Sequence, residues 1–156
     1  MLASALAEEA SRKGWAFERF YEHLMAREPD FIQKLKHARS EIGEIDYVYA
    51  HNLQDDAFWR VSSYICVECK NWVDNITSNE MHHLTELIRE KGPLSCCGVF
   101  ITSSSYDPSA VTAMRDARIR DKILIIPIEG KDLEDLIEYG FKDLVRKLCE
   151  QKVFKR

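Results

Sequence analysis

One short stretch, Tyr64–Trp72, constrains the fold more than any other part of the chain. It is apolar and strand-like, yet it carries Glu68 and Lys70 two residues apart. Because the side chains of a strand alternate between two faces, these charged groups share one face, while Val67 and Cys69 share the other. Charged groups inside an apolar strand are costly unless they are paired or bind a ligand. The stretch therefore predicts a buried strand that ends at a functional site.

A second strand-like run supplies another carboxylate. Asp46 interrupts the apolar run Ile45–Ala50. Mg²⁺ prefers oxygen ligands and usually takes one or two protein carboxylates, so Asp46 and Glu68 are the right type and number. The backbone carbonyl of Cys69 lies next to them in sequence, and Lys70 is placed to position a water or stabilise charge on a phosphate. The leading interpretation is a metal-dependent enzyme that hydrolyses phosphodiester bonds.

The bulk properties narrow the class of protein. A length of 156 residues fits a single domain over residues 1–156. A net charge of -4 weighs against nonspecific nucleic-acid binding, although metal-binding carboxylates contribute to it. No apolar run approaches the roughly 18 residues needed to cross a bilayer, and the N-terminus does not resemble a signal peptide. An odd number of cysteines, five, predicts reduced thiols and a cytoplasmic location.

The order of elements predicts an α/β fold, with a mixed β-sheet sandwiched between helices. Consecutive early strands favour antiparallel pairing, and later strands separated by helices favour parallel pairing. The predicted helices span residues 2–27 (with a possible break at Gly14), 80–91, 108–119 with Asp107 as N-cap, and 132–149 with a break near Gly140. The predicted strands span residues 31–39 (an edge strand or irregular run), 45–50, 58–70 and, further on, 96–102 and 123–128.

The combination of Asp46 with Glu68-Cys69-Lys70 resembles the motif of PD-(D/E)xK nucleases. The surrounding sequence is similar to the Mrr-type restriction endonuclease branch of that superfamily. The similarity extends over Gly14–Glu18 in the first helix, Gly43–Asp46, Val67–Trp72 and Phe100–Tyr106. The chain departs from the motif at Ile45, where a proline is usual, and Glu68 stands where many Mrr-type members carry glutamine.

The resemblance implies a restriction-endonuclease-like fold and an endonuclease acting on DNA in restriction, antiviral defence or repair. Asp46 and Glu68 would hold Mg²⁺, for which Mn²⁺ can substitute, and Lys70 would act at the nucleophile. Glu18 would match the first-helix acid that contributes to a metal site or orders its waters. Because one domain holds one active site, cutting both strands of a duplex favours a homodimer or an oligomer assembled by a partner.

Other interpretations of the same chain remain open at this stage. One is an effector nuclease domain that cuts only when a sensor or partner assembles it. Another is a catalytically weak module of the same fold that binds nucleic acid. In a third, Asp46 and Glu68 are structural acids paired with a base such as Lys70.

Several further groups of residues have a functional and an ordinary interpretation. Cys66 and Cys69 have the spacing of a zinc half-site, but a regular strand would point them to opposite faces. Trp72 would pack at the edge of the core or stack on a base, and the two basic clusters would be solvated or contact phosphate. The first basic cluster is Lys34, Lys36, His37 and Arg39, and the second is Arg115, Arg118, Arg120 and Lys122. His82 and His83 would likewise contact phosphate or be exposed polar residues of a helix.

Overall fold

The strands lie side by side in sequence order in one mixed sheet. The computed structural model describes Leu2 and residues 10–154. The first three strands pair antiparallel, and the third, fourth and fifth pair parallel. This topology confirms the predicted mixed sheet. Within the described residues the strands are β1 (Phe31–Arg39), β2 (Glu44–His51), β3 (Tyr64–Lys70), β4 (Cys97–Thr102) and β5 (Leu124–Ile128).

Helices cover both faces of the sheet and enclose two apolar cores. One core packs helices α1 and α5 against one face through Phe17, Tyr21 and Phe141. The other packs α2 and α3 against the opposite face through Leu84 and Met114. None of the helices in the described part of the chain is long and apolar enough to cross a membrane. The helices are α1 (Ala10–Met25), α2 (Ser78–Glu90), α3 (Pro108–Asp116), α4 (Leu133–Tyr139) and α5 (Phe141–Leu148).

The helix boundaries follow from local capping chemistry. At α3 the Asp107 carboxylate accepts a hydrogen bond from the backbone N–H of Ala110 at 2.9 Å, which confirms Asp107 as the N-cap. Gly140 has a φ of 82° and separates α4 from α5, as predicted. The predicted break at Gly14 is wrong, because α1 runs through this residue without interruption. The part of the first predicted helix over residues 3–9 lies outside the described residues.

The prediction of one long strand over residues 58–70, with a possible bend near Ser62-Ser63, is also wrong. Trp59–Val61 form a 3₁₀ turn, and β3 begins only at Tyr64. The Asp56 carboxylate accepts hydrogen bonds from the backbone N–H groups of Phe58 at 2.9 Å and Trp59 at 3.3 Å. An ion pair with Arg146 of α5 holds Asp56 in place. The turn lets Trp59 bury its indole in the core, where its ring packs against Phe31 and Phe58.

Candidate active site

Asp46 and Glu68 meet where β2 and β3 separate. The last register pair between these strands is Tyr47 with Val67. Beyond it, the backbone N–H of Asp46 donates to Oε1 of Glu68 at 2.8 Å, and the backbone N–H of Cys69 donates to Oδ2 of Asp46 at 2.8 Å. Each carboxylate thus replaces a missing hydrogen bond of the sheet, and this fixes its orientation.

The second oxygen of each carboxylate faces a basic side chain. Oε2 of Glu68 lies 3.8 Å from Nζ of Lys70, and Oδ1 of Asp46 lies 3.7 Å from Nδ1 of His37. Asp46 and Glu68 expose only 9% and 5% of their surface, whereas Lys70 is half-buried. Glu68 and Lys70 share one face of β3, and Cys69 packs in the core on the other, as strand alternation predicted.

Burial and mutual repulsion disfavour ionisation of the two acids. Burial, followed by the charge of Asp46, raises the pKa of Glu68 to about 8, and the ammonium of Lys70 opposes this shift. Burial also raises the pKa of Asp46, against the Cys69 backbone N–H and Lys70. Two such carboxylates ionise together more readily when a cation neutralises them. The electrostatics of the pair are therefore those of a site that favours a divalent cation.

The backbone of Cys69 faces the same opening. The carbonyl of Lys70 accepts a hydrogen bond from the N–H of Ser103 at 3.2 Å, on the β4 side. Because the backbone groups of successive strand residues point to opposite sides, the N–H and C=O of Cys69 both point towards β2. This orientation is compatible with Cys69 as a carbonyl ligand, which stays a prediction.

Glu18 extends from α1 towards the site and contacts His37, which the sequence alone assigns only to a basic cluster. Oε2 of Glu18 lies 3.3 Å from Nε2 of His37, and burial raises the pKa of Glu18. One ligand atom from each of Glu18, His37 and Asp46 lies within 4.8 Å of the other two. We expected His37 only as one member of a basic cluster. The position of His37 in the site depends on its backbone φ of 50°, which lies in the left-handed region. The sequence gives only a weak signal for this conformation, since histidine adopts a positive φ more often than most residues do.

A cavity of about 230 Å³ opens beside Glu68 and Lys70 on the α2 face of the sheet. Nζ of Lys70 lies 5.6 Å from the centroid of the exposed Trp72 ring, which borders this cavity. His83 also lines it, whereas its neighbour His82 is exposed elsewhere on α2. The two histidines therefore have different surroundings, because only His83 lines the cavity beside Glu68 and Lys70.

The cysteines do not form the zinc half-site that their spacing suggests. Cys66 packs in the core under α2 and Cys69 in the core under α1, on opposite faces of β3. Sγ of Cys66 lies 3.3 Å from Oγ of Ser95. All five cysteines of the chain have free thiols.

Most basic residues of the first cluster have acidic partners. Lys36 pairs with Glu22, and Nε of Arg39 lies 2.9 Å from Oε2 of Glu44. In the second cluster, Arg118 donates to the backbone carbonyl of Val153 at 3.0 Å. These contacts favour the structural interpretation for the residues concerned.

Comparison with known proteins identifies the family. The family model of a restriction endonuclease, the Mrr catalytic domain, matches residues 10–137. The chain belongs to this family. The matched range includes Glu18, Asp46, Glu68 and Lys70, and the match confirms the resemblance found in the sequence.

Several solved structures are similar at low sequence identity. The protein in the structure of the EndoMS–dsDNA2 complex is 14% identical with a TM-score of 0.48, and the match covers 80% of this chain and 48% of that one. A repair endonuclease from Pyrococcus abyssi is 12% identical with a TM-score of 0.44, covering 79% and 49%. Pyrococcus furiosus SfsA in complex with Ca²⁺ is 16% identical with a TM-score of 0.42, covering 74% and 55%. The chain thus spans about half the length of these proteins. No curated protein sequence matches it.

Proposed function

We propose that this chain is a metal-dependent endonuclease that hydrolyses phosphodiester bonds in DNA. The observation that carries the proposal is the meeting of Asp46, Glu68 and Lys70 where β2 and β3 separate, in a member of a restriction endonuclease family. The two carboxylates each keep one oxygen directed away from the hydrogen bonds between the strands. Free carboxylate oxygens of this kind suit a dication that prefers oxygen ligands, which supports the proposal.

Asp46 and Glu68 would hold Mg²⁺, or Mn²⁺ in its place, with the Cys69 carbonyl as a third oxygen ligand. When bound, the cation polarises the scissile phosphate and lowers the pKa of a coordinated water. The hydrogen bonds from the Asp46 and Cys69 backbone hold the carboxylates in place, so little reorganisation is needed on binding.

Lys70 would supply a positive charge beside the scissile phosphate, in addition to the charge of the cation. Its ammonium lies 3.8 Å from Glu68 and beside the open cavity, so it is accessible to a phosphate. There it would donate hydrogen bonds to the attacking water and to the phosphoryl oxygens, on which negative charge increases in the transition state. Glu18 would order water or contribute a further ligand from α1.

Cleavage of supercoiled plasmid DNA with Mg²⁺ or Mn²⁺ tests the proposal. Asp46→Asn and Lys70→Met should each lower the cleavage rate by about a hundredfold or more, because they remove a metal ligand and a charge that stabilises the transition state. Asp55→Asn, an exposed acid in the loop after β2, is the matched control and should retain the wild-type rate. If both site variants fold and cleave at a rate within about twofold of wild type, the assignment fails.

The proposal extends to the assembly and setting of the enzyme. Each copy carries one Asp46–Glu68–Lys70 set, so cutting both strands of a duplex calls for two copies, as a homodimer or an oligomer assembled by a partner. The setting we propose is restriction, antiviral defence or repair.

A further inference from the structure

His37 occupies an unusual position in the edge strand of the sheet. It lies between the register pairs Lys36–Tyr47 and Ala38–Ile45, and therefore opposite Asp46. Its φ of 50° lies in the left-handed region, which residues other than glycine adopt at a cost of about 1 kcal/mol or more. The chain thus holds this residue in an unfavourable backbone conformation directly beside the site.

The imidazole of His37 faces three acids. Its nitrogens lie 3.3 Å from Glu18, 3.0 Å from Glu44 and 3.7 Å from Asp46. Arg39 neutralises Glu44 alone. Among the side chains that the structure describes over residues 14–153, His37 is the only basic one with a nitrogen within 4.0 Å of a carboxylate oxygen of either Glu18 or Asp46. These two partly buried acids therefore share one imidazole at contact distance, while Lys36 and Lys70 act on them from farther away.

We infer that His37 is a nitrogen ligand of the metal centre and binds a cation together with Glu18 and Asp46. Their ligand atoms already lie within 4.8 Å of one another. The inference rests on the proposed function, in which Asp46 is a metal ligand. It adds a second cation position on the α1 side of Asp46, while Glu68 and Lys70 lie on the α2 side.

The added nitrogen determines which cation this position prefers. Mg²⁺ strongly prefers oxygen ligands and loses its water reluctantly, whereas first-row transition-metal dications accept imidazole readily. A site of two carboxylates and one imidazole therefore favours an ion such as Mn²⁺ over Mg²⁺. The centre would combine an oxygen-rich position at Glu68 with a mixed nitrogen and oxygen position at His37.

Metal titration of the purified protein tests the inference without relying on cleavage. Calorimetry would measure Mn²⁺ and Mg²⁺ binding to wild type, His37→Asn and His82→Asn. Asparagine is chosen because it tolerates a positive φ, and His82 is an exposed histidine outside the site. Loss of an outer-shell partner of a ligand typically costs about 10–100-fold in metal affinity, so loss of a ligand should cost at least about tenfold.

The expected result is that His37→Asn weakens Mn²⁺ binding by at least about tenfold and Mg²⁺ binding by less than about threefold, with His82→Asn unchanged. Electron spin echo spectra of bound Mn²⁺ should show coupling to a ¹⁴N nucleus in wild type, and this coupling should vanish in His37→Asn. A merely structural ion pair would change neither the metal preference nor the spectrum.

Two outcomes overturn the inference: wild-type protein that binds Mn²⁺ without nitrogen coupling or not at all, and a folded His37→Asn variant that binds Mn²⁺ as tightly as wild type. If Mn²⁺ binds with nitrogen coupling but wild-type protein leaves plasmid DNA intact, the proposed nuclease function fails and the ligand assignment stands. The two proposals therefore fail on different measurements.

Discussion

At the scale of single residues, Glu68 shows how the candidate site acts against the stability of the fold. Its carboxyl is buried beside Asp46, and the pKa rises from 4.5 to about 8. The folded protein therefore holds the Glu68 proton more tightly than the unfolded chain does. It follows that Glu68 destabilises the metal-free fold at pH above 8, and that this penalty disappears as the pH falls from about 8 towards 4.5.

We predict that Glu68→Gln stabilises the metal-free protein. Glutamine keeps an oxygen that can accept the Asp46 N–H but carries no charge. At pH 9 the variant should exceed wild type by roughly 2–5 kcal/mol in free energy of unfolding, and at pH 4.5 the two should nearly agree. Urea unfolding in the presence of a chelator, at several pH values, measures this difference.

Glu134→Gln, on the exposed surface of α4, is the control for this measurement. Its difference from wild type should stay nearly constant over the same pH range. A Glu68→Gln variant whose stability follows that of wild type from pH 4.5 to 9 would show that burial does not penalise this carboxylate.

At the scale of elements, two glycines with opposite surroundings test how closely the backbone packs around each of them. A Cβ at Gly130 would lie 2.4 Å from the backbone carbonyl oxygen of Ser103, which follows β4. A Cβ at Gly14, on the exposed side of α1, would meet no atom within 4 Å. We expect Gly130→Ala to destabilise the fold by about 2 kcal/mol, because the backbone must move.

Gly14→Ala should have the opposite effect and stabilise the protein by about 0.5–1 kcal/mol, since alanine favours the helix that glycine disfavours. Thermal or urea unfolding of both variants measures the pair together. Equal effects of the same sign would contradict the close contact at Gly130.

Features of the elements that depend on local sequence signals were predicted correctly, whereas features that depend on contacts between distant residues were not. Strand alternation placed Glu68 and Lys70 on one face, and the Asp107-Pro108 pair located a helix start, because both signals are local. The 3₁₀ turn at Trp59–Val61 was missed because it depends on an Asp56–Arg146 contact between residues distant in sequence. His37 was missed for a similar reason, since its role requires both a positive φ and partners on α1 and β2.

The irregularity of β2 around Asp46 could not be predicted from the sequence pattern either. Ile45 and Tyr47 are two residues apart, yet they pack in different cores, so β2 is irregular around Asp46. Alternation counted from Tyr47 would place Asp46 on the α2 face, whereas alternation counted from Ile45 would place it on the α1 face. The irregularity brings its carboxylate between Cys69 on one side and His37 on the other.

At the scale of the whole molecule, the proposal of one Asp46–Glu68–Lys70 site per copy predicts the order of products from plasmid DNA. A homodimer should convert supercoiled plasmid to linear DNA at high protein concentration, and dilution below the dimer dissociation constant should leave mainly nicked circles. Gel analysis of the products alongside sedimentation velocity over the same concentrations measures both. Linear DNA formed directly by a species that sediments as a monomer would contradict the two-copy requirement.

The paired contacts between the Asp46 and Glu68 side chains and the neighbouring backbone have an evolutionary consequence. The same two side chains that would serve chemistry through one oxygen also complete the hydrogen bonding between β2 and β3 through the other, so selection on folding persists even where selection on cleavage has ended. A descendant that abandoned catalysis would be expected to carry amides at positions 46 and 68, since apolar replacements would leave two buried N–H donors without acceptors. Loss of chemistry by this route would leave the architecture intact.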